Sequence, residues 1–540
     1  MNTKSLFSFL KTHQKGVFLI LLVGLCSVLF YPVLDYQSLL SQGDHGRDLY
    51  CFERALEGDL AFKDYWWVYG PLMPYYYAFF YKFLGVNIVS ILCGKILLIF
   101  LSAVVFYLML SLFVSPGVSF IASLWYLVFN PDFFFTFNHV GATTGILVTL
   151  YCAFLYIKQQ NQKYLYSGLF LSLLICLIKI NFGITTLVSF LILTFLTDLL
   201  NKNTLKKYFY ATALIVCPFL IFSIYLFLLN GLTVYEIRQC LPYLSADHPH
   251  NATPWHSWSM LMTPVIGNAL SGWSNIIFGI LILLSTIQTI IVLVDKKTDF
   301  LFKRNIFLCL LGLMMFAFFL FHEYLVSGVF YRSFWSKPFT FLFMFIVLSV
   351  TLTKVPKIFR FLFYLTLVFV LVIQIPTRIF AIQQAKKSSQ YLSLSKAKVF
   401  VGNSTDWIQT VTSTVRFLDD HLEKDETFLA LPYDPLYYFL CDKKSPTRQL
   451  IFFEHINIPE NQERSIIQEL EDNKVNWIVL SNRAVAGDPG LGILGQTYCP
   501  LLYNYLNDHF EIAVTFGPWT QPPGWAWNHA TRILKRKKDY

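Results

Sequence analysis

Apolar runs of about 20 residues recur along most of this chain. An α-helix of roughly that length is needed to cross the hydrocarbon core of a bilayer. Only 14% of the 540 residues are charged and 56% are hydrophobic, whereas ordinary soluble chains carry about 25% charged residues. The sequence therefore excludes a soluble enzyme, a disordered chain and a fibrous protein, and it predicts a polytopic α-helical membrane protein.

Hydropathy predicts about 11 membrane spans. The first run follows Lys4, Lys11 and Lys15, and its apolar core is longer than that of a signal peptide, so we expect it to be a retained span. The predicted spans lie at 16–34, 86–112, 117–130, 139–157, 164–180, 183–200, 208–229, 275–294, 305–325, 337–354 and 358–376.

Lysine and arginine residues concentrate in alternate short loops, which indicates that those loops are cytoplasmic. This bias explains the net charge of +10 without a nucleic-acid partner. The N-terminus is then cytoplasmic, and the longer segments at 35–85, 230–274 and 377–540 lie on the outer face. We expect a transmembrane module at 1–376, which includes the first outer loop, and an extracytoplasmic α/β domain at 377–540.

The C-terminal segment alternates helical and strand patterns, which predict a small α/β layer. It contains no phosphate-binding loop and no nucleophile elbow, so we expect it to support the protein or recognise an acceptor. The sequence leaves open a disulfide between Cys441 and Cys499. Its predicted helices lie at 411–422, 462–473 and 498–507, and its predicted strands at 427–431, 475–480 and 511–516.

The first outer loop is acidic and aromatic. It contains seven acidic residues against four basic ones, whereas a helix that lies on anionic lipid favours bases. Asp44 and Asp48 have the i,i+4 spacing that places two side chains on one helix face. We interpret Trp66 and Trp67 as anchors at the membrane surface.

This loop resembles that of the GT-C superfamily of integral membrane glycosyltransferases, which includes the protein O-mannosyltransferases and the lipid A aminoarabinose transferases. The matching residues are Gly43-Asp44-His45-Gly46-Arg47-Asp48, the helix that follows to Gly58, and Tyr69-Gly70-Pro71-Leu72. The resemblance implies a GT-C-like fold and a polyprenyl-phosphate sugar as donor. It also implies a multi-pass protein of the bacterial inner membrane with a periplasmic C-terminal domain.

The implied activity is that of an inverting hexosyl or pentosyl transferase whose acceptor is a lipid, a protein or a polysaccharide. A sugar on a lipid phosphate already carries a good leaving group, so transfer mainly requires a carboxylate that takes the acceptor's proton. The resemblance assigns this role to Asp44, with Asp48 in reserve. Asp132 matches a second-loop aspartate of the aminoarabinose transferases, although a turn or helix cap would also explain it.

Charge develops on the departing phosphate, so cations are expected beside it. Lys179 is such a cation, although its side chain could instead reach interfacial water. Glu323 could instead form an ion pair with Arg332. The predicted substrate-binding residues are Lys179, Arg332, Lys337, His139, Glu323 and Tyr69.

Three points stay open in the sequence. A divalent cation could be held by Asp44, Asp48 and a histidine, and members of the superfamily differ in their use of metal. A transporter or flippase of lipid-linked glycans is the alternative function, although we find no clear internal repeat of the kind typical of transporters. Acceptor specificity is expected in the loop at 230–274, whose candidate residues are Tyr243, His248, His250, Trp255, His256 and Trp258.

Overall fold

The computed structural model describes residues 14–37, 40–41, 43–129, 137–202, 205–229, 287, 290, 300–320, 335–402, 405–485, 491–523 and 528–538. Within this part of the chain, seven helices are long and apolar enough to cross a membrane, and two shorter helices are also apolar. The chain is therefore a polytopic α-helical membrane protein, as its hydropathy predicts.

Most predicted spans coincide with helices. The predicted span at 164–180 is a shorter helix that ends at Cys176, before a turn leads to the next helix at Ile180. The span predicted at 275–294 lies almost entirely outside the described residues. In chain order the helices are α1 (Gln14–Phe30), α2 (Gly43–Glu57), α3 (Leu72–Leu84), α4 (Ile88–Leu110), α5 (Pro116–Phe129), α6 (Phe137–Gln159), α7 (Gln162–Cys176), α8 (Ile180–Leu200), α9 (Lys206–Ala211), α10 (Cys217–Leu229), α11 (Phe300–Leu320), α12 (Lys337–Leu352), α13 (Lys357–Lys387), α14 (Thr405–His421), α15 (Leu436–Leu440), α16 (Glu460–Asp472) and α17 (Pro500–His509).

The chain forms two compact units. The first outer loop, which the sequence assigns to the membrane module, belongs to the same unit as the C-terminal residues. The first unit contains the described residues of Met1–Tyr31, Ile96–Leu226 and His250–Phe380. The second unit contains the described residues of Pro32–Lys95, Phe227–Pro249 and Ala381–Tyr540.

A buried ion pair lies among the helices of the first unit. Lys207 Nζ is 2.7 Å from Asp198 Oδ1, and the Tyr156 and Tyr208 hydroxyls donate to the same carboxylate. A buried charge is tolerated when it is both paired and hydrogen-bonded. This network therefore joins α8 to α9 and α6.

Two sheets lie among the described residues of the second unit. β1 (Gln390–Leu394) and β2 (Ala397–Val401) form an antiparallel hairpin. The strands of the larger sheet are β3 (Phe428–Leu431), β4 (Trp477–Ser481), β5 (Phe510–Phe516) and β6 (Thr531–Arg536). Their order in the sheet is β3-β4-β6-β5. β3 and β4 are parallel, and the other neighbours are antiparallel.

The predicted α/β layer is confirmed, with one interior strand that the sequence analysis missed. Leu429 and Leu431 of β3 and Ile478 of β4 are buried in one apolar cluster with residues of α16 and α17. The missed strand is β6, which lies between β4 and β5. Three of its six residues are basic, and this composition hid the strand pattern.

Cys441 and Cys499 do not form a disulfide. Both thiols are free and buried. Cys441 directly follows α15, whereas Cys499 caps the start of α17. The two cysteines therefore act as small apolar residues in the packing of the domain.

A buried histidine makes the stability of the C-terminal domain depend on pH. His529 is fully buried, and its Nε2 lies 3.3 Å from the Tyr437 hydroxyl. Burial lowers the pKa of His529 to about 4, whereas an unfolded histidine titrates near about 6.5. Between these values the unfolded chain binds a proton that the folded chain does not, so stability decreases as the pH falls from about 6.5 toward 4.

We therefore expect His529→Gln to flatten this pH dependence. Between about pH 7.5 and about pH 5.5, the native protein should lose on the order of 1 kcal/mol more stability than the variant. Thermal unfolding of both purified proteins at the two pH values measures this difference. Equal losses in the two proteins would contradict the assignment.

Candidate functional site

Asp44 lies in the first turn of α2, which begins at Gly43. The unpaired N–H groups at a helix N-terminus stabilise a carboxylate. The Arg47 guanidinium also donates from Nη1 to Asp44 Oδ1 over 2.8 Å. The Asp44 side chain keeps 40% of its surface exposed. The result is a carboxylate that is held in orientation by Arg47 and still partly exposed.

Arg47 connects Asp44 and Asp48, the two aspartates of α2. Its Nε and Nη2 both donate to Asp48 Oδ1, over 3.1 Å and 2.7 Å, while Nη1 binds Asp44. Burial would lower the pKa of Arg47, but the Asp48 and Asp44 carboxylates hold it well above its ordinary value. Arg47 is therefore a fixed cation between two carboxylates.

Asp48 differs from Asp44 in its environment. Its side chain is only 2% exposed. Burial raises the pKa of Asp48 above its ordinary value, although the Arg47 guanidinium acts in the opposite direction. The i,i+4 spacing thus places both carboxylates against one guanidinium, with Asp44 as the more accessible of the two.

The arrangement does not fit a metal ion held by these two carboxylates. The Arg47 guanidinium occupies the position between them and already supplies the positive charge. Among the described residues, no group of three or more His, Cys, Asp or Glu side chains is arranged to hold a metal.

The aromatic residues of the first loop surround Arg47. The guanidinium carbon lies 5.4 Å from the ring centroids of both Trp67 and Tyr69, and 6.0 Å from that of Trp66. The interpretation of Trp66 and Trp67 as membrane-surface anchors is wrong, because both side chains are buried. Their rings instead stabilise the buried cation by cation–π contacts.

Glycine residues allow the start of α2 to approach the C-terminal chain closely. A Cβ atom on Gly43 would lie 2.4 Å from the Tyr433 carbonyl oxygen. A Cβ atom on Gly46 would lie 2.5 Å from Leu436 Cβ and 2.8 Å from its backbone nitrogen. The motif Gly43-Asp44-His45-Gly46 is therefore built for contact with the segment at 433–436.

We expect Gly46→Ala to destabilise this contact. The added methyl group meets backbone atoms, so one of the two segments must shift, at a cost of about 1–3 kcal/mol. The thermal unfolding midpoint of the purified protein should decrease. Gly24→Ala is a matched control, since nothing lies within 4 Å of its Cβ position. Equal midpoints for Gly46→Ala and the native protein would contradict the close approach.

A second cluster, in the first unit, contains two predicted substrate-binding residues. Lys179 Nζ lies 2.7 Å from His139 Nε2. It also lies 4.5 Å from the ring centroid of Phe182 and 4.7 Å from that of Trp335. The cluster is a buried cation in an aromatic setting.

The sequence analysis named Lys179 and His139 as separate candidates and did not predict that their side chains meet. Trp335, which packs on His139 at 4.0 Å between ring centroids, was missed. Lys337 is described as the first residue of α12. The predicted site residues Asp132, Glu323 and Arg332 lie outside the described residues. The predicted specificity loop at 230–274 also lies outside them.

The sequence analysis did not name Arg47 or Tyr433 as individual candidates, although both belong to the site at Asp44. Arg47 had a local signal, because its i,i+3 spacing from Asp44 places the two side chains together on a helix. Tyr433 had none. Its ring and backbone carbonyl oxygen lie against the Cβ position of Gly43, next to Asp44, but it belongs to the C-terminal part of the chain, far from Asp44 in sequence.

No protein-family model matches the chain, and no curated protein sequence matches it either. Comparison with solved structures finds ArnT, a lipid A aminoarabinose transferase, from Cupriavidus metallidurans. The structure of ArnT bound to undecaprenyl phosphate has a TM-score of 0.42 and 11% sequence identity, and the match covers 96% of this chain and 98% of that one. The structure of ArnT in the apo state has a TM-score of 0.44 and 10% identity, with coverage of 95% and 97%.

Proposed function

We propose that this protein is a membrane glycosyltransferase that moves a sugar from a polyprenyl-phosphate donor to a lipid, protein or polysaccharide acceptor. The observation that supports the proposal is the environment of the Asp44 side chain. It is a partly exposed carboxylate that Arg47 holds at the start of a helix, in the position that the GT-C resemblance gives to the base. A general base needs this combination of access and fixed orientation.

The proposed reaction is a single displacement. Asp44 takes the proton of the acceptor hydroxyl while that oxygen forms a bond to the anomeric carbon of the sugar. The bond from the anomeric carbon to the phosphate oxygen breaks, and the polyprenyl phosphate leaves with the electron pair. Attack from the face opposite the leaving group inverts the anomeric configuration. Asp48 is proposed to orient Arg47 rather than to serve as the base, because it is buried against the guanidinium.

Lys179 is the proposed contact of the donor phosphate. An ammonium stabilises the charge that develops on a departing phosphate, and a buried setting strengthens this interaction. His139 is proposed to hold the ammonium in place through its 2.7 Å contact. Tyr69 is proposed to act through Arg47, which its ring covers.

The proposed location is the bacterial inner membrane, with a cytoplasmic N-terminus and a periplasmic C-terminal domain. The alternation of basic loops along the sequence supports this orientation. The outer face has no sugar nucleotides, so a donor carried by a lipid suits chemistry there.

The experiment is a transfer assay with a panel of labelled polyprenyl-phosphate sugars. Purified protein in vesicles is supplied with each donor and with extracts of membrane lipid, protein and polysaccharide. Label that appears on an acceptor supports the proposal and identifies the sugar. No transfer from any donor, together with movement of the lipid across the vesicle membrane, would overturn it in favour of the transporter alternative.

A further inference from the structure

The C-terminal domain reaches the proposed base through Tyr433. The Tyr433 side chain is buried, and its ring and backbone carbonyl oxygen lie against the Cβ position of Gly43, the residue before Asp44. Burial and the nearby Asp44 charge raise the pKa of Tyr433 well above its ordinary value, so the hydroxyl stays protonated. Asp44 therefore receives a hydrogen bond from Arg47 on its own helix and lies close to the protonated hydroxyl of Tyr433.

The residue next to Tyr433 holds the chain just before α2. Arg483 Nη1 lies 3.0 Å from Asp434 Oδ1, and Arg483 Nη2 donates to the Ser41 carbonyl oxygen over 2.9 Å. Asp434, Arg483 and Ser41 are all buried. A buried ion pair that makes a further hydrogen bond fixes the geometry of the groups around it.

The sheet explains why these side chains meet. Asp434 follows β3 and Arg483 follows β4, and these two strands are parallel neighbours. The carboxyl ends of neighbouring parallel strands lie at one edge of a sheet, where functional groups in α/β folds commonly gather. The close approach of Gly43 to the Tyr433 backbone brings the first turn of α2 to the same edge.

We propose that the C-terminal domain positions the base: Tyr433 orients the Asp44 carboxylate, and the Asp434–Arg483 pair fixes the chain at Ser41. This inference rests on the proposed function, since it takes Asp44 as the base. Tyr433 and Arg483 are positioning residues, and they act on the reaction through Asp44. The domain is thus required for the rate of transfer and not only for recognition of the acceptor.

The test is Tyr433→Phe, which keeps the ring and removes the hydroxyl. We expect kcat to fall about 10-fold with little change in the donor KM, because the hydrogen bond by which the Tyr433 hydroxyl is proposed to orient a charged group is lost. The acid limb of the pH profile should move to higher pH by about one unit, since the ionised form of Asp44 loses a donor and keeps its proton to a higher pH.

Tyr438→Phe is the matched control. Tyr438 is a buried tyrosine of α15 whose hydroxyl accepts a hydrogen bond from the Ala430 N–H. Its loss should destabilise the domain to a similar extent and leave the pH profile in place. A merely structural role of Tyr433 would make the two variants behave alike.

Hydrogen exchange of the full-length protein gives a readout that does not depend on transfer. Amides at 43–50 should exchange faster in Tyr433→Phe than in Tyr438→Phe. They should also exchange faster in Arg483→Lys, which keeps a positive charge but loses the fork of N–H groups. Exchange equal to that of the native protein in both variants would overturn the positioning role.

The two failures are distinguishable. If the native protein transfers sugar and Tyr433→Phe has the same kcat, pH profile and exchange, the positioning role is wrong and the proposed function stands. If the native protein transfers sugar from no donor, the proposed function is wrong and so is the catalytic part of this inference. Exchange at 43–50 then decides whether the domain holds α2.

Discussion

Replacing Asp44 by asparagine is expected to lower kcat by about 10²–10⁴-fold, the contribution typical of a general base. The amide keeps the size of the side chain and an oxygen that can accept from Arg47, but it cannot take up the acceptor's proton. The donor KM should change little, because the loss concerns the transition state. Initial rates of sugar transfer by the purified variant measure both parameters.

Glu57→Gln is the matched control for this substitution. It removes a carboxylate from the last turn of the same helix, where Glu57 pairs with Arg54 and is half exposed. Its transfer rate should equal that of the native protein. If Asp44→Asn inserts and folds normally yet keeps the native kcat, Asp44 is not the base.

The second large effect is expected for Lys179→Met, which removes the ammonium and keeps an apolar stem between Phe182 and Trp335. Loss of one charge-assisted contact to a phosphate corresponds to about 1.5–3 kcal/mol. We therefore expect kcat/KM for the donor to fall about 10–100-fold. Part of the loss should appear in kcat, because charge grows on the phosphate in the transition state.

Lys163→Met serves as the comparison for this variant. Lys163 is an exposed lysine at the start of α7, next to Tyr164. Removal of its charge should leave both kinetic parameters unchanged. Unchanged parameters in Lys179→Met as well would show that the donor phosphate binds elsewhere.

Much of the fold could be predicted because it depends on local patterns. A membrane helix needs only an apolar run of sufficient length, so the span at 139–157 was placed within two residues of α6. The α/β layer was predicted from periodicity alone, and β3, predicted at 427–431, begins one residue later.

The missed strand β6 shows where local patterns fail. Its basic residues lie over aromatic rings of the same domain: Arg532 over Trp519, Lys535 over Trp477 and Arg536 over Phe510. The charged groups themselves lie over these rings in cation–π contacts, and Arg536 also pairs with Glu471. A prediction from residue composition counts these basic residues as polar, so it does not recognise β6 as a strand.

The site was predictable only in part, and the limit is sequence separation. Asp44, Arg47 and Asp48 all lie in the first turns of α2. Their meeting could be predicted because Arg47 follows Asp44 at i,i+3 and Asp48 follows it at i,i+4. The partners Tyr433 and Arg483 come from loops after β3 and β4, and no local pattern links them to Asp44. Trp67 was misread for the same reason, because its burial depends on packing that a single segment does not reveal.

The proposed reaction is a single displacement on a polyprenyl-phosphate sugar with one carboxylate, Asp44, as the base. Its most direct test is the anomeric configuration of the product, read by NMR after transfer from a donor of known configuration. We expect inversion at the anomeric carbon. A product with retained configuration would contradict it, because retention requires two displacements and a covalent or equivalent intermediate.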